Sequence, residues 1–128
     1  LLKGIAEFWV SRAERNDDGS YSINGVVGAD EYAQNVNDNA FTNASASVAL
    51  RNAVKAAEIC GYDAPQIWST VAEGLRFHRT SDCVTMEYDG YAGEQIKQAD
   101  VNLLAYPLFR IQQASLHDCR KGLQSHQW

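Results

Sequence analysis

The sequence predicts an all-α chain broken by one short β-hairpin and two long loops. Three observations carry that prediction. Apolar residues recur at three- and four-residue steps in four separate stretches, the spacing of one helical face. Only one stretch, Tyr21-Ser22-Ile23, alternates like a strand. The 128 residues are 45% apolar and 21% charged, enough for a packed core and too hydrophobic for a disordered tail.

The first helix is expected over Leu1 to Arg15, where Leu1, Leu2, Ile5, Phe8 and Trp9 alternate with Lys3, Glu7, Arg12 and Glu14. Asn16-Asp17-Asp18-Gly19-Ser20 ends it with turn chemistry, and the strand-like Tyr21-Ser22-Ile23 follows. Gly25 and Gly28 then open a loop that runs through Tyr32. A second helix is predicted to start near Thr42-Asn43, both good N-cap residues, and to stop at Gly61. A third starts at Pro65, with Ile67, Val71 and Leu75 at four-residue steps beside Trp68. Residues Phe77 to Gly93 show no sustained period. A fourth helix is expected from Glu94 to Ala105, with Ile96, Leu103 and Leu104 on its apolar side and Pro107 ending it.

Composition excludes several classes of function. No run of about 18 apolar residues occurs, so no membrane-spanning helix is expected. Acids outnumber bases 16 to 11, for a net charge of −5, which argues against a nucleic-acid partner. Cys60, Cys83 and Cys119 lie far apart without C-x-x-C spacing and read as three ordinary, mostly buried thiols. His78, His117 and His126 are equally scattered, so no metal site is expected. The chain opens on Leu1-Leu2-Lys3, its one methionine is Met86, and no secretory signal is visible. It is expected to be a segment of a longer protein, and no cellular location follows.

Two constellations could carry chemistry. The first is Gly25-Val26-Val27-Gly28-Ala29-Asp30-Glu31-Tyr32, followed by the amide-rich Asn35 to Asn43. Adjacent carboxylates with an aromatic neighbour and side-chain amides suit a site that grips sugar hydroxyls. Cleaving a glycosidic bond needs one protonated acid to serve the leaving oxygen. The same pair also fits a solvated loop or a helix cap. A calcium loop starting at Glu14 fails, because its twelfth ligand position falls on Gly25. The second constellation is Ile96-Lys97-Gln98-Ala99-Asp100-Val101. On a helix it would place Lys97 and Asp100 as an i, i+3 pair on a polar face. Asn43-Ala44-Ser45 fits a glycosylation sequon, best read as chance at a helix start.

These two stretches, about 65 residues apart, resemble glycoside hydrolase family 65. The first is similar to that family's G-P-D-E-Y … D-N-N-A-Y-T-N signature, the second to its I-K-Q-A-D-V element. Phe8-Trp9 with Arg12 resembles the F-W-x-x-R helix that precedes the signature. The likeness covers about residues 4–108, and it departs at Ala29 for Pro, at Ala33-Gln34 for His-Glu and in the order of Asn37-Asp38-Asn39. It stops after Leu108, so the chain divides into a partial catalytic domain over 1–108 and a divergent tail over 109–128.

The resemblance implies a fragment of an (α/α)₆ six-hairpin barrel with long active-site loops, from inverting enzymes acting on α-glucosides. The family includes acid trehalase-like and kojibiose-type hydrolases, a collagen glucosyl-galactose glucosidase, and maltose, trehalose and kojibiose phosphorylases. It implies Glu31 as general acid and Lys97 and Gln98 as ligands of the glucosyl unit before the scissile bond, with no cofactor and no metal. The implied partner is a small carbohydrate, with inorganic phosphate in addition for a phosphorylase. Glu87-Tyr88-Asp89-Gly90-Tyr91-Ala92-Gly93-Glu94 resembles the Y-D-G-Y-x-G linker of the hydrolase branch and favours hydrolysis. A phosphorylase segment and a non-catalytic remnant are the alternatives. The hydrolytic base or phosphate pocket would lie downstream, so the segment alone is expected to be inactive.

Overall fold

A computed structural model describes residues 1–108 of the chain. Three helices dominate. Helix α1 spans Leu2–Arg12, α2 Ala40–Ile59 and α3 Gln66–Gly74, with a single 3₁₀ turn over Val101–Leu104. Strands β1 (Glu14–Arg15) and β2 (Tyr21–Ser22) form a two-stranded antiparallel sheet that pairs Glu14 with Ser22 and Arg15 with Tyr21. The expected hairpin is therefore present, but it takes Glu14 and Arg15 away from the first helix. Pairing satisfies their backbone groups in a way that one more helical turn would otherwise have to do.

Helix α2 begins at Ala40, two residues before the predicted start, because Asn39 caps it. The Asn39 Oδ1 accepts from Thr42 N at 2.9 Å and from the Thr42 hydroxyl at 2.8 Å. At the other end Gly61 stands at φ +68°, as predicted, while Gly61 N donates to Glu58 O and Tyr62 N to Ala57 O. This left-handed closure meets two otherwise orphaned carbonyls. Pro65 lies just outside α3 as its N-cap residue.

The core gathers Ala6 of α1, Tyr21 and Ile23 of the hairpin region, Ala46, Leu50 and Ala53 of α2, and Trp68, Val71, Ala72 and Leu75 at α3. Alanines on the buried side of α2 let both neighbouring helices approach closely. Ser47 Oγ locks the second contact by donating to Ala72 O at 2.8 Å. The hairpin is tied on by Arg76 N, which donates to Tyr21 O at 3.0 Å. That crossing needs glycine at Gly74, where a Cβ would stand 2.8 Å from the Tyr21 ring. Ile67, expected in the core, is instead exposed.

The fourth helix is not formed. Residues 94–100 run as irregular backbone, and only the 3₁₀ turn follows. Lys97 and Asp100 do not form the expected surface pair, because each is engaged elsewhere in the site. The thiol expectation also needs correction: Cys60 is exposed and Cys83 is disulfide-bonded. Cys119, His117, His126 and the proposed tail fall outside the described residues. Among the described residues, no helix is long and apolar enough to cross a membrane.

Candidate active site

The site is built where the loop before α2 meets the irregular segment before the 3₁₀ turn. Asp30 is buried and Glu31, its neighbour, is exposed, so the adjacent carboxylates have separate tasks. Asp30 Oδ1 accepts from Lys97 N at 2.8 Å and from Tyr32 N at 3.2 Å. Its own backbone N donates to Asp100 Oδ2 at 3.2 Å. Asp100 is buried as well, and Asn39 Nδ2 reaches its two oxygens at 3.1 and 3.2 Å. Asn39 thus caps α2 with its oxygen and holds Asp100 with its nitrogen. Gly28 makes room for it, since a Cβ there would lie 2.4 Å from the Asn39 amide.

The sequence-predicted residues Glu31, Lys97 and Gln98 come together on the outer side of this knot. The Lys97 ammonium pairs with Glu31 Oε2, and Glu31 N donates to Gln98 Oε1 at 3.1 Å. The Lys97 ammonium, followed by the Gln98 side chain, holds the Glu31 carboxyl below the usual carboxylate range. Burial and the Asp30 charge oppose that shift more weakly. Asp30 is also lowered, chiefly by the Lys97 backbone N–H. A carboxyl, an ammonium and an amide on one open surface provide both donors and acceptors for a polar ligand.

Sequence reasoning missed Glu87 as a site residue. Its carbonyl accepts from Ala40 N at 2.8 Å and from Asn39 Nδ2 at 3.3 Å. Its carboxyl is buried, and no donor reaches either oxygen. Burial first, then the Asp30 carboxyl and the charges of Asp100, Asp30 and Glu94, push Glu87 up to about 7. No sequence signal separates this glutamate from a surface one, because the stretch around it has no period. The Y-D-G-Y resemblance next to it was the one available pointer.

Behind the site, Asp38 anchors the loop from a buried position. It accepts from Ser22 Oγ at 3.1 Å and Asn43 Nδ2 at 3.3 Å, and its Oδ2 lies 2.8 Å from His78 Nε2. Asn43 of the apparent sequon is fully buried in this network, which leaves no room for a glycan. From α1, Arg12 Nη2 donates to Asn24 O at 3.0 Å, and the Phe8 and Trp9 rings meet edge-on at 5.1 Å. Within Phe8-Trp9-x-x-Arg12 it is therefore Arg12 that fastens the start of the same loop. Among the described residues, no three His, Cys, Asp or Glu side chains are placed to hold a metal ion.

Comparison with known proteins follows the same residues. The model of the glycosyl hydrolase family 65 central catalytic domain matches residues 1–100. A kojibiose hydrolase of Flavobacterium johnsoniae is 49% identical over 108 residues, covering 84% of this chain and 16% of that protein. A protein-glucosylgalactosylhydroxylysine glucosidase of Dictyostelium discoideum is 42% identical over 114 residues, covering 84% of this chain and 16% of its own. The chain therefore spans about one sixth of the length of these relatives. A solved structure described as "Putative kojibiose phosphorylase from human microbiome" superposes with a TM-score of 0.59 at 23% identity. That superposition covers 70% of this chain and 14% of the other, and it shows a shared fold.

Proposed function

The chain belongs to glycosyl hydrolase family 65, and on that premise we propose that it is a catalytic segment of an inverting glycosidase that hydrolyses α-glucosides. The relatives named above are glycoside hydrolases, which supports cleavage of O-glycosyl bonds. In this reading the three helices are part of an (α/α)₆ barrel, residues 1–108 belong to its catalytic domain, and 109–128 are a stretch whose sequence diverges from the family. The substrate is a small α-glucoside of the kojibiose or trehalose kind, or a glucosyl-galactose group.

The observation that carries the reading is the meeting of Glu31 with Lys97 and Gln98 across 66 and 67 residues of chain. Glu31 is the general acid. Lys97 and Gln98 hold the glucosyl unit beside it. With Lys97 on its carboxyl, Glu31 is kept ionised. A sugar hydroxyl that draws the ammonium away removes the main cause of that low proton affinity, and Glu31 can take up the proton it must deliver. Inversion further needs a base about 6.5–9.5 Å from the acid, on the opposite face of the sugar. Glu31, Lys97 and Gln98 do not supply that base in this reading, and the chain spans 16% of the length of these relatives.

The test is Glu31→Gln in the complete protein. Turnover of glucosides with poor leaving groups should fall by about 10²–10⁴-fold, the usual contribution of a general acid. Substrates with good leaving groups should be affected far less. Near-normal turnover on both would overturn the assignment. Phosphate-dependent release of β-glucose 1-phosphate by the unmodified protein would replace hydrolysis with phosphorolysis while leaving Glu31 in its role.

A further inference from the structure

Three acidic side chains converge beneath Glu31, and they are not equivalently provided for. Asp30 receives the backbone N–H groups of Lys97 and Tyr32. Asp100 receives the Asp30 N–H and the Asn39 amide. Glu87 is 3% exposed, and neither of its carboxyl oxygens has a donor. A buried carboxylate with no donor, facing two that are already satisfied, is strongly disfavoured as an anion. As a neutral acid it gains a hydroxyl, and the Asp30 carboxylate is the acceptor in reach.

We propose that Glu87 is a positioning residue of this site: its protonated carboxyl donates to Asp30 and so clamps the Glu31 loop against the Lys97-Gln98 segment. The role rests on the reading of Glu31 as general acid. Glu87 suits it because its backbone is already fixed, with its carbonyl accepting from Ala40 N and from Asn39. Glu87 thereby joins the start of α2 to the Asp30 loop, and Asp30 in turn holds the segment before the 3₁₀ turn through Lys97 N. The ionisable groups facing Glu87 are Asp30 and Asp100 from the opposing segments, and Glu94, Tyr88 and Tyr91 from its own. The nearby cation, Lys97, is committed to Glu31. Loss of the Glu87 proton would leave three carboxylates together with no cation among them, and the clamp would open.

The pH dependence follows with a definite sign. Glu87 holds its proton to about pH 7 in the fold and to its ordinary 4.5 when unfolded. Its contribution to stability is complete below pH 4.5 and is lost as pH rises to about 7. The experiment compares the unmodified complete protein with Glu87→Gln and Glu87→Ala. Each is followed by thermal midpoint and by kcat/KM across pH 4 to about 9, spanning both values. Glutamine stays neutral and can donate to Asp30 at every pH. Glu87→Gln should therefore retain activity, flatten the decline of the midpoint between pH 4.5 and about 7, and move the alkaline fall of kcat/KM to higher pH. Glu87→Ala should lose about 10²-fold in kcat/KM through misplacement of Glu31. If the alanine variant does not fold, the glutamine variant alone decides. pH profiles of Glu87→Gln that coincide with those of the unmodified protein, while Glu31→Gln is inactive, overturn the positioning role alone. Normal turnover by Glu31→Gln overturns the glycosidase reading and this role with it.

Discussion

Asp30 and Glu31 are adjacent in sequence, yet one is sealed under the loop and the other stands in solvent with Lys97. Their pairing with Lys97 has a measurable consequence. Because the ammonium is the leading cause of the lowered Glu31 pKa, Lys97→Met should move its titration upward, as read by carboxyl-carbon NMR. An unmoved titration would show that Lys97 does not control this proton. A second expectation combines two groups of opposite sign. Asp30 titrates below its ordinary 3.8 in the fold, so its stabilisation is lost as pH falls below that value. Glu87 acts in the other direction above 4.5. The two groups therefore oppose each other, and a pH series of thermal midpoints should show Asp30→Asn removing part of the loss on the acid side and Glu87→Gln part of the loss on the alkaline side. The identity of Glu31, Lys97 and Gln98 as one group was legible in the sequence through the two motifs. The burial of Asp30 and of Glu87 was not, since both depend on which segments close over them.

At the level of elements, the residue types predicted α2 well at its C-terminus and less well at its start. Gly61 is a strong stop because it takes the left-handed conformation at no steric cost. Thr42 and Asn43 are equally plausible caps by type, but Asn39 wins because Gly28 leaves space for its amide and Asp100 holds its nitrogen. Asn39→Ala should therefore cost more than an ordinary cap. Loss of the cap is worth about 1 kcal/mol, and leaving buried Asp100 short of a donor adds about 1–3 kcal/mol. Urea unfolding measures the total, and a loss no larger than the cap alone would show that Asp100 finds another donor. The missing fourth helix has a related cause. Its 3.6-residue pattern rested on Ile96, Leu103 and Leu104 alone, and Ile96 is exposed. Meanwhile the Lys97 backbone N–H, which a helix would direct to its own preceding turn, is drawn to Asp30. A tertiary contact some 67 residues away in sequence outweighs weak local periodicity there.

Over the described chain as a whole, the helix–helix core was the part most legible in advance. The small residues of α2 and the Trp68, Val71, Leu75 face of α3 carry it, and Leu50 lies at its centre with no exposure. Leu50→Ala should lower stability by about 2–5 kcal/mol, checked by denaturant unfolding, with the spread set by how far the neighbours relax. The site is different in kind from this core. Neighbouring elements α1, α2 and α3 meet through connections of moderate length, whereas Asp30 and Glu31 find Lys97, Gln98 and Asp100 only after 66 to 70 residues of chain have closed. The seam lies outside the helix–helix core, and three amide hydrogens stand directly on it, those of Asp30, Glu31 and Lys97. The seam can therefore part while the helices stay folded. Hydrogen–deuterium exchange should report it, with these three amides exchanging as a group and sooner than the amides of α2, so that the readiness of the site is a separate equilibrium from the integrity of the fold.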